Sequence, residues 1–348
     1  MKINVIGCGR WGSCIAWHLD RTGHEVGLYG PADTPDMQRF TETGTNGIIT
    51  LTPSMRLIYD LDECLDAEAV VISINSQGLR SLCAEIKQSW ERTSAKSQQV
   101  VMSDRLSEVR HPNEVQTSAA GHTDTFILCM KGIEIETGMR LTEVMADCLP
   151  EAKTAVWIGP GHPQEFVRGV PNCMVIDSAD DGLKRRLVDS FNGELIRFYY
   201  GDDLIGNEIG AAAKNVIGIA AGMLDGFDIS SLKGPLMSRG THEVARLIKA
   251  LGGNELSAYG LCHLGDYEAT VFSKYSHNRQ FGESFVRGEK YTALAEGYYT
   301  CAAIRNLCKK YDVDMPICRA VYEILYEGRD PHDALNRLFT RSVKTELE

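Results

Sequence analysis

The sequence lacks an apolar run long enough to cross a membrane. Within its 348 residues, no stretch of about 18 is both apolar and free of charge. The nearest approach is interrupted by Glu208, Lys214 and Asp225. The first residues, MKINVIGCG, pass from a short apolar run directly into glycines, unlike a secretory signal with its long apolar region and cleavage site. We therefore expect neither a membrane-spanning nor a secreted protein.

The sequence also lacks a basic stripe and any C-x-x-C pair. Its formal net charge is −11, and acidic residues are spread along the chain, which disfavours nucleic acids and anionic membranes as partners. Its 11 cysteines are scattered, so we expect no zinc or other metal site. Several lie in apolar surroundings, which is typical of reduced cysteines in the core of a cytoplasmic protein.

What the sequence does contain begins with a glycine-rich loop. A β-prone run over Lys2–Ile6 leads into GCGRWG at residues 7–12, and a helical pattern follows over residues 13–20. Gly23 ends that helix, and a second β-prone run covers Glu25–Tyr29. Strand, G-x-G-x-x-G, helix and strand in this order predict a dinucleotide-binding unit. The first glycine permits the tight turn, the second admits a pyrophosphate, and the third lets the helix pack on the strand.

The choice between NAD and NADP stays open. The end of the second β-prone run, YGP at residues 29–31, has no acid to hold a ribose 2′-hydroxyl, and Asp33 comes only after the proline. Arg10 could meet a 2′-phosphate or simply lie in solvent. The sequence therefore predicts a nicotinamide dinucleotide without a preference between the two.

Further apolar runs cover residues 69–74, 125–130 and 155–158. Continuous apolar strands separated by helical stretches indicate a parallel sheet with helices on both faces. Ligands of such sheets bind beyond the carboxyl ends of the strands, where Lys131 and Gly159 follow their strands. Lys131 could equally end its strand in solvent. We predict a doubly wound, Rossmann-like domain over residues 1–200.

A polar stretch over residues 91–121 interrupts this pattern. It contains one β-prone fragment at residues 99–102, and we expect the remainder to be a loop or an insertion.

Helical periodicity replaces the strand pattern after about Gly201. The segment HEVARLIKALGG at residues 242–253 is amphipathic and ends in glycine, and AAIRNLCKKY and RAVYEILYEG are similar. We predict a second, all-α domain over residues 201–348.

One lysine stands inside a run that is otherwise small and apolar. In NEIGAAAKNVIGIAAGM, residues 207–223, helical spacing surrounds Lys214 with glycine, alanine and isoleucine. A helix that is apolar all round is usually buried, and a buried lysine loses its charge unless a carboxylate pairs with it. Asp266 in LGDYEAT is the candidate partner. The alternatives are a Lys214 that reaches solvent along its own stem and an Asp266 that only shapes a turn.

Several long motifs occur in the order seen in NAD(P)-dependent glycerol-3-phosphate dehydrogenases. They are GCGRWGS, KGIEIETG, AAAKNVIGIAAGMLDG, LGDYEAT, SHNRQFG and EGYYT. The sequence resembles this family from residue 1 to about residue 341, apart from the polar stretch. The resemblance implies reduction of dihydroxyacetone phosphate to sn-glycerol 3-phosphate, and the reverse, feeding glycerophospholipid synthesis. It also implies a cytoplasmic homodimer with a small phosphorylated substrate.

The resemblance also implies roles for individual residues. Lys214 matches the catalytic lysine that exchanges a proton with the substrate oxygen, Lys131 a second lysine that polarises the carbonyl, and Asp266 the acid that pairs with Lys214. The implied substrate contacts are Lys131, Gly159, Gly161, Lys214, Asp266, Thr270, Ser276, His277 and Asn278. The implied cofactor contacts are Gly7, Gly9, Arg10, Trp11, Gly12, Lys131, Pro163, His277 and Glu296.

Three departures from the family pattern cluster at the substrate end. His277 stands where the family has an arginine, and GHPQ at residues 161–164 replaces serine or threonine, phenylalanine, alanine and lysine. The segment after Asp225 is shorter and lacks an asparagine. Histidine cannot grip a phosphate with two parallel hydrogen bonds as arginine does. Arg279 could replace the missing arginine, and His162 could add a donor.

The departures leave three hypotheses. The chain could be an ordinary glycerol-3-phosphate dehydrogenase with a variant phosphate pocket. It could be a paralogue that reduces another small ketone or aldehyde. It could be a non-catalytic nucleotide-binding sensor, although a non-catalyst need not keep a buried lysine.

Overall fold

The structure is a computed structural model that describes residues 1–106, 123–343 and 345–346, and only the backbone for residues 94–106. The strands are β1 (Lys2–Ile6), β2 (Glu25–Tyr29), β3 (Arg56–Ile58), β4 (Ala69–Ile72), β5 (Thr125–Leu128), β6 (Lys153–Ile158), β7 (Asn172–Ser178) and β8 (Ile196–Tyr200). The helices are α1 (Arg10–Arg21), α2 (Pro35–Thr43), α3 (Leu61–Leu65), α4 (Leu79–Leu106), α5 (Leu141–Cys148), α6 (Pro163–Phe166), α7 (Asp181–Phe191), α8 (Leu204–Gly226), α9 (Lys233–Ala250), α10 (His277–Val286), α11 (Glu296–Tyr311), α12 (Pro316–Glu327) and α13 (Pro331–Phe339).

The strands follow the order β3-β2-β1-β4-β5-β6-β7-β8. Strand β1 is parallel to both β2 and β4, with Ile3 opposite Val26 on one side and Ala69 on the other. Every residue of β4 is buried, as expected for a strand that helices cover on both faces. The predicted fold class is confirmed: a mostly parallel sheet with flanking helices is followed by a helical region.

Strand β7 departs from the parallel pattern because it runs antiparallel to β6. The connection between these two strands contains only the four-residue helix α6. An antiparallel neighbour needs no crossover back to the other end of the sheet, so a short connection suffices. Strand β8 then pairs with β7 in parallel, after the intervening helix α7.

The chain divides into two compact units. The first comprises Met1–Ile74, Gly78–Ile127 and Met145–Lys153, and the second comprises Asn75–Gln77, Leu128–Val144 and Thr154–Glu348. The predicted domain boundary between residues 200 and 201 stays a prediction.

Helix α8 is the centre of the second unit, and it is buried over most of its length. Its glycines allow close approach of α10. A Cβ atom on Gly222 would collide with the backbone of Arg279, and one on Gly282 with the carbonyl of Ile219. The small residues around Lys214 therefore do more than clear space for a ligand, because they let two helix backbones touch.

The prediction of a strand at residues 99–102 is wrong, because these residues lie inside α4. Valine pairs favour strands only weakly, and here they stand among lysine, glutamine and alanine, which continue a helix already begun at Leu79. The expected loop begins no earlier than the end of α4, and residues 107–122 lie outside the described residues.

Within the described ranges, no helix is long and apolar enough to cross a membrane. In the same ranges, no group of three or more histidine, cysteine or acidic side chains is placed to hold a metal ion.

Candidate active site

The glycine-rich loop lies in the first unit, between β1 and the N-terminus of α1. Gly7 has φ of +113°, a conformation that favours glycine, and a Cβ atom there would collide with the carbonyl of Ser73. A Cβ atom on Gly12 would collide with the carbonyl of Gly7. The first and third glycines are therefore structurally required, as the motif predicts.

The second glycine is different because the space above it is open. The atom nearest to an ideal Cβ on Gly9 is Asp36 Oδ2, at 3.9 Å. Gly9 is also the N-cap of the 12-residue helix α1, whose N-terminal amides favour a phosphate. The loop therefore fits the pyrophosphate of a dinucleotide, in a cradle that a side chain at Gly9 would fill.

Asp36 is a candidate cofactor residue that the sequence reasoning missed. It lies in the first turn of α2, and its carboxylate is close enough to the loop to raise the pKa of Cys8, after the larger effect of burial. The end of β2 has no acid and Asp33 follows a proline, whereas the acid near the loop belongs to the next helix. A helix start within about ten residues of the strand was the usable signal.

The second unit contains a group of two lysines and one aspartate, in which Lys214 and Asp266 are buried and Lys131 is partly exposed. Lys131 Nζ donates to Asp266 Oδ2 at 2.7 Å and to the carbonyl of Gly159 at 2.6 Å. Lys214 Nζ lies 3.0 Å from the same Asp266 oxygen and donates to Thr270 Oγ1 at 2.6 Å. The Asp266 side chain is 1% exposed and that of Lys214 is 8% exposed. Lys214 therefore does not reach solvent, and the pairing with Asp266 has the predicted geometry.

Burial in this group lowers the pKa of Lys214 to about 8. Burial is the main cause, the nearby Lys131 ammonium adds to it, and Asp266 opposes it. Two cations share one carboxylate, so the group carries an excess positive charge when both lysines are protonated. A lysine with a pKa near 8 can exchange a proton close to neutral pH.

Asn215, beside Lys214, connects three helices. Its Nδ2 donates to the carbonyl of Lys131 at 3.1 Å, and its Oδ1 accepts from Asn278 Nδ2 at 3.0 Å. Asn278 Oδ1 in turn accepts from the backbone N–H of Gly297 at 2.8 Å. The sequence analysis gave Asn215 no role, although its position next to the catalytic candidate was a signal.

The start of α10 carries the other predicted substrate residues. Ser276 is the N-cap and its hydroxyl accepts from the N–H of Arg279. His277 Nδ1 hydrogen-bonds the hydroxyl of Tyr291. His277 and Asn278 thus occupy the first turn of a ten-residue helix, where its dipole favours an anion.

The side chain of Arg279 does not contribute to this first turn of α10. This corrects the idea that Arg279 replaces the missing arginine of the family pattern. Its guanidinium contacts Asp225 and lies 3.0 Å from Glu283 Oε2, and its Nε donates to the carbonyl of Ser273. Two carboxylates already neutralise this cation, so it is directed into an ion network instead of a phosphate site.

Glu296 supports the turn after β4. The backbone N–H of Ser76 donates to Glu296 Oε1 at 3.0 Å, and the Ser76 hydroxyl donates to Oε2 at 2.5 Å. Burial raises the pKa of Glu296, while these hydrogen bonds oppose the shift. Its predicted contact with the cofactor stays a prediction.

The loop after β6 holds the remaining predicted residues. Gly159 and Gly161 both have positive φ, +137° and +145°. A Cβ atom on Gly161 would collide with the ring of Phe166, so this departure from the family pattern belongs to the path of the backbone. Pro163 is buried at the start of α6, and His162 precedes it.

A glycine-rich loop at a helix N-terminus, on a mostly parallel sheet, together with a buried lysine of lowered pKa, defines a Rossmann-type oxidoreductase that uses a nicotinamide dinucleotide. Comparison with known proteins gives the family. Residues 2–184 match the N-terminal model, and residues 203–336 the C-terminal model, of NAD-dependent glycerol-3-phosphate dehydrogenase. The chain belongs to this family, which uses NAD or NADP, and the predicted resemblance is confirmed.

Individual relatives match along the whole chain. It is similar to the glycerol-3-phosphate dehydrogenase [NAD(P)+] of Chlorobium limicola, at 31% identity with 100% of both chains covered. It is 32% identical to that of an Exiguobacterium species, covering all of this chain and 97% of the relative. The crystal structure of glycerol-3-phosphate dehydrogenase from Coxiella burnetii has a TM-score of 0.82 at 25% identity, covering 98% of this chain and 99% of that one.

Proposed function

We propose that this protein reduces dihydroxyacetone phosphate to sn-glycerol 3-phosphate, and catalyses the reverse reaction, with NAD(H) or NADP(H). The observation that carries the proposal is the single carboxylate oxygen of Asp266 held by both Lys131 and Lys214. A nicotinamide dinucleotide, when bound, would supply the hydride for the C2 carbon of the substrate. The family membership supports this substrate. A role in supplying glycerophospholipid synthesis is part of the proposal and rests on the resemblance alone.

Lys214 is the proposed proton donor. With a pKa of about 8 it is largely protonated at neutral pH, yet it can release its proton to an alkoxide that forms beside it. In the reverse direction the neutral amine accepts the proton of the alcohol. The hydroxyl of Thr270, which accepts a hydrogen bond from Nζ, directs the lysine while its own O–H is bound to the carbonyl of Asp266.

Lys131 is the proposed electrophile. Its ammonium polarises the substrate carbonyl and stabilises the negative charge that develops on that oxygen. Asp266 keeps both lysines in place and favours the charged form of Lys214. The excess positive charge of the group fits an anionic substrate better than a neutral one.

The substrate phosphate is assigned to the first turn of α10. Ser276, His277 and Asn278 belong to this turn, and the helix dipole contributes partial positive charge. The chain of Asn215, Asn278 and Gly297 fixes this turn to α8, one residue from Lys214. The remaining contacts implied by the resemblance are Gly159, Gly161 and Thr270.

The glycine loop is the proposed holder of the pyrophosphate, through Gly7, Gly9 and Gly12, with Arg10 and Trp11 beside it. Lys131, Pro163, His277 and Glu296 complete the proposed cofactor contacts. We further propose that the protein is a cytoplasmic homodimer, which the resemblance supports. Light scattering of the purified protein would measure its mass directly.

The decisive experiment is oxidation of NADH and of NADPH, measured separately, with dihydroxyacetone phosphate as substrate. Turnover with a low Michaelis constant supports the proposal and identifies the preferred cofactor. Tight cofactor binding without turnover would contradict it.

A second candidate function is reduction of a related small ketone or aldehyde that carries a different anionic group. The engagement of Arg279 by Asp225 and Glu283 favours it, because the anion site then depends on His277 in place of an arginine. A screen of small ketones and aldehydes with the same protein would reveal it through a preferred substrate other than dihydroxyacetone phosphate.

A further inference from the structure

The loop after β6 presents one residue that the proposed mechanism does not use, His162. The backbone just before it is held in a conformation that favours glycine, at Gly159 and Gly161. The ring of Phe166 packs against Gly161 where a side chain would otherwise be. The path of the backbone that leads into His162 therefore depends on these two glycines.

The imidazole of His162, itself part of the second unit, lies within range of the charges of the lysine group. Its ring meets the ring of Tyr275 edge-on, with centroids 5.6 Å apart and an interplanar angle of 64°. The backbone carbonyl of Ala269 interacts with it, and the charges of Lys214, Asp266 and Lys131 act on it. Burial, followed by the Lys214 charge, lowers the pKa of His162 to about 4. The ring is therefore neutral at physiological pH.

One nitrogen of the His162 ring lacks a hydrogen-bond partner. His162 Nε2 is buried and has no hydrogen-bond partner among the described residues. Buried polar atoms are nearly always hydrogen-bonded, and one without a protein partner beside reacting groups is a candidate ligand contact. A neutral imidazole grips an anion poorly, whereas a hydroxyl can satisfy it as donor or as acceptor. The chemistry of the atom therefore favours an uncharged hydroxyl.

We propose that His162 is a specificity residue whose Nε2 hydrogen-bonds the primary hydroxyl of the substrate, on the carbon beside the carbonyl. The proposal rests on the function proposed above, in which Lys131 and Lys214 bind the carbonyl oxygen. The substrate has only one other uncharged oxygen group next to that carbonyl, and His162 lies within electrostatic range of both lysines. His162 thereby distinguishes a hydroxyketone phosphate from a phosphate whose terminal carbon is a methyl group.

The test compares two substrates on three proteins. The substrates are dihydroxyacetone phosphate and its analogue with a methyl group in place of the hydroxymethyl group. The proteins are the wild type, His162→Phe, which keeps an aromatic ring against Tyr275, and His162→Gln, which keeps a polar side chain. The readout is the ratio of kcat/KM for the two substrates. We expect His162→Phe to reduce the wild-type preference about tenfold, the value of one neutral hydrogen bond, and His162→Gln to retain part of it.

The matched control is His242→Phe. His242 also meets a tyrosine edge-on, Tyr259, at a centroid distance of 6.2 Å, and it is outside the proposed site. It should leave the ratio unchanged. An unchanged ratio in His162→Phe would overturn the assignment even if both activities fell together, since that result indicates a structural role. A wild type without turnover of dihydroxyacetone phosphate would instead refute the proposed function, and the assignment of His162 with it.

Discussion

Asp266 and Asp225 each hold two cationic side chains in the second unit, but the two groups differ in their charge balance. Asp266 binds Lys131 and Lys214 and is 1% exposed. Asp225 binds Lys233 and Arg279 and is 13% exposed, and Glu283 supplies a second carboxylate to the arginine. The first group has two cations on a single buried carboxylate. In the second, Lys233, Arg279 and Arg287 share two carboxylates, so the charge is spread over a larger and more exposed network.

The two balances have different consequences for proton exchange. Around Asp266, burial and the second cation lower the pKa of Lys214 to about 8. Around Asp225, burial raises the carboxyl pKa, but hydrogen bonds from Lys233, Ser230 and Arg279 outweigh it, so the net shift is downward. Asp225 therefore keeps its negative charge to lower pH than an ordinary aspartate. The same arrangement of one acid and two bases is therefore reactive in one place and structural in the other.

The largest expected effect separates the two groups by activity. Lys214→Ala should lower kcat by about 10³-fold, because general acid catalysis contributes on the order of 10² to 10⁴. Cofactor affinity, measured by fluorescence titration, should stay nearly unchanged and serves as the control. Equal turnover in the variant would refute the role of Lys214.

The second-largest expected effect is on stability and concerns the Asp225 group. Arg279→Met removes the cation that Asp225 and Glu283 share, while Lys233 and Arg287 stay paired with them. The free energy of unfolding should therefore fall by about 2 to 3 kcal/mol, the value of hydrogen bonds to charged groups. Urea unfolding at neutral pH measures the change. The KM for dihydroxyacetone phosphate in the surviving folded protein should change little. A large rise in KM would place Arg279 in the substrate site and contradict the structural role given to the Asp225 group.

A third buried carboxylate, Glu243, extends the comparison to an acid that accepts its hydrogen bonds from the backbone. It accepts from the N–H groups of Ile317 and Cys318 at the start of α12. Burial raises its pKa from 4.5 to about 7 despite these bonds. A raised carboxyl pKa means that the folded state binds the proton more tightly, so stability is present below pH 4.5 and is lost as pH rises towards 7.

Glu243→Gln should remove the loss of stability that the wild type shows as pH rises towards 7. Between pH 4.5 and 7 the unfolding free energy of the wild type should fall by about 2 to 3 kcal/mol from this group, and the variant should show a flatter profile. Urea unfolding at several pH values gives both curves. Parallel curves for wild type and variant would show that Glu243 does not titrate in this window.

The smallest expected effect concerns the pH dependence of the reaction. In the reduction direction Lys214 must be protonated, so kcat should fall as pH rises through about 8. Asp266→Asn removes the charge that raises the pKa of Lys214, so this fall should move to lower pH. At pH 7 the variant should be about tenfold slower, because less of Lys214 is protonated. Asp225→Asn is the control, and it should leave the position of the fall unchanged. A shift to higher pH in Asp266→Asn would contradict the assigned electrostatics.

The parts of the fold that local sequence determines were predictable. Strands β1 and β2 have the predicted bounds, because the glycines at residues 7–12 impose the turn between strand and helix. Strands β7 and β8 were not recognised, since NCMVIDS and IRFYY mix polar and apolar residues without a clear period. The strand expected at residues 99–102 was overridden by a helix that began twenty residues earlier.

The candidate site also has parts that the sequence predicts and parts that it does not. The partner of Lys214 could be named because an acid stands beside a glycine in a recognisable motif, LGDYEAT. The direction of Arg279 could not be, because it depends on Asp225 at the end of α8 and on Glu283 one turn along α10. Sequence shows which charges are present but not which of them neutralise one another.

The backbone contact between α8 and α10 has a consequence for laboratory evolution of this protein. Gly222 and Gly282 admit no side chain without separating the two helices, and these helices carry Lys214 and His277. A library aimed at new substrates should therefore leave both glycines untouched. Diversity belongs at His162 and His277, where a change alters what the pocket accepts while the frame around it is preserved.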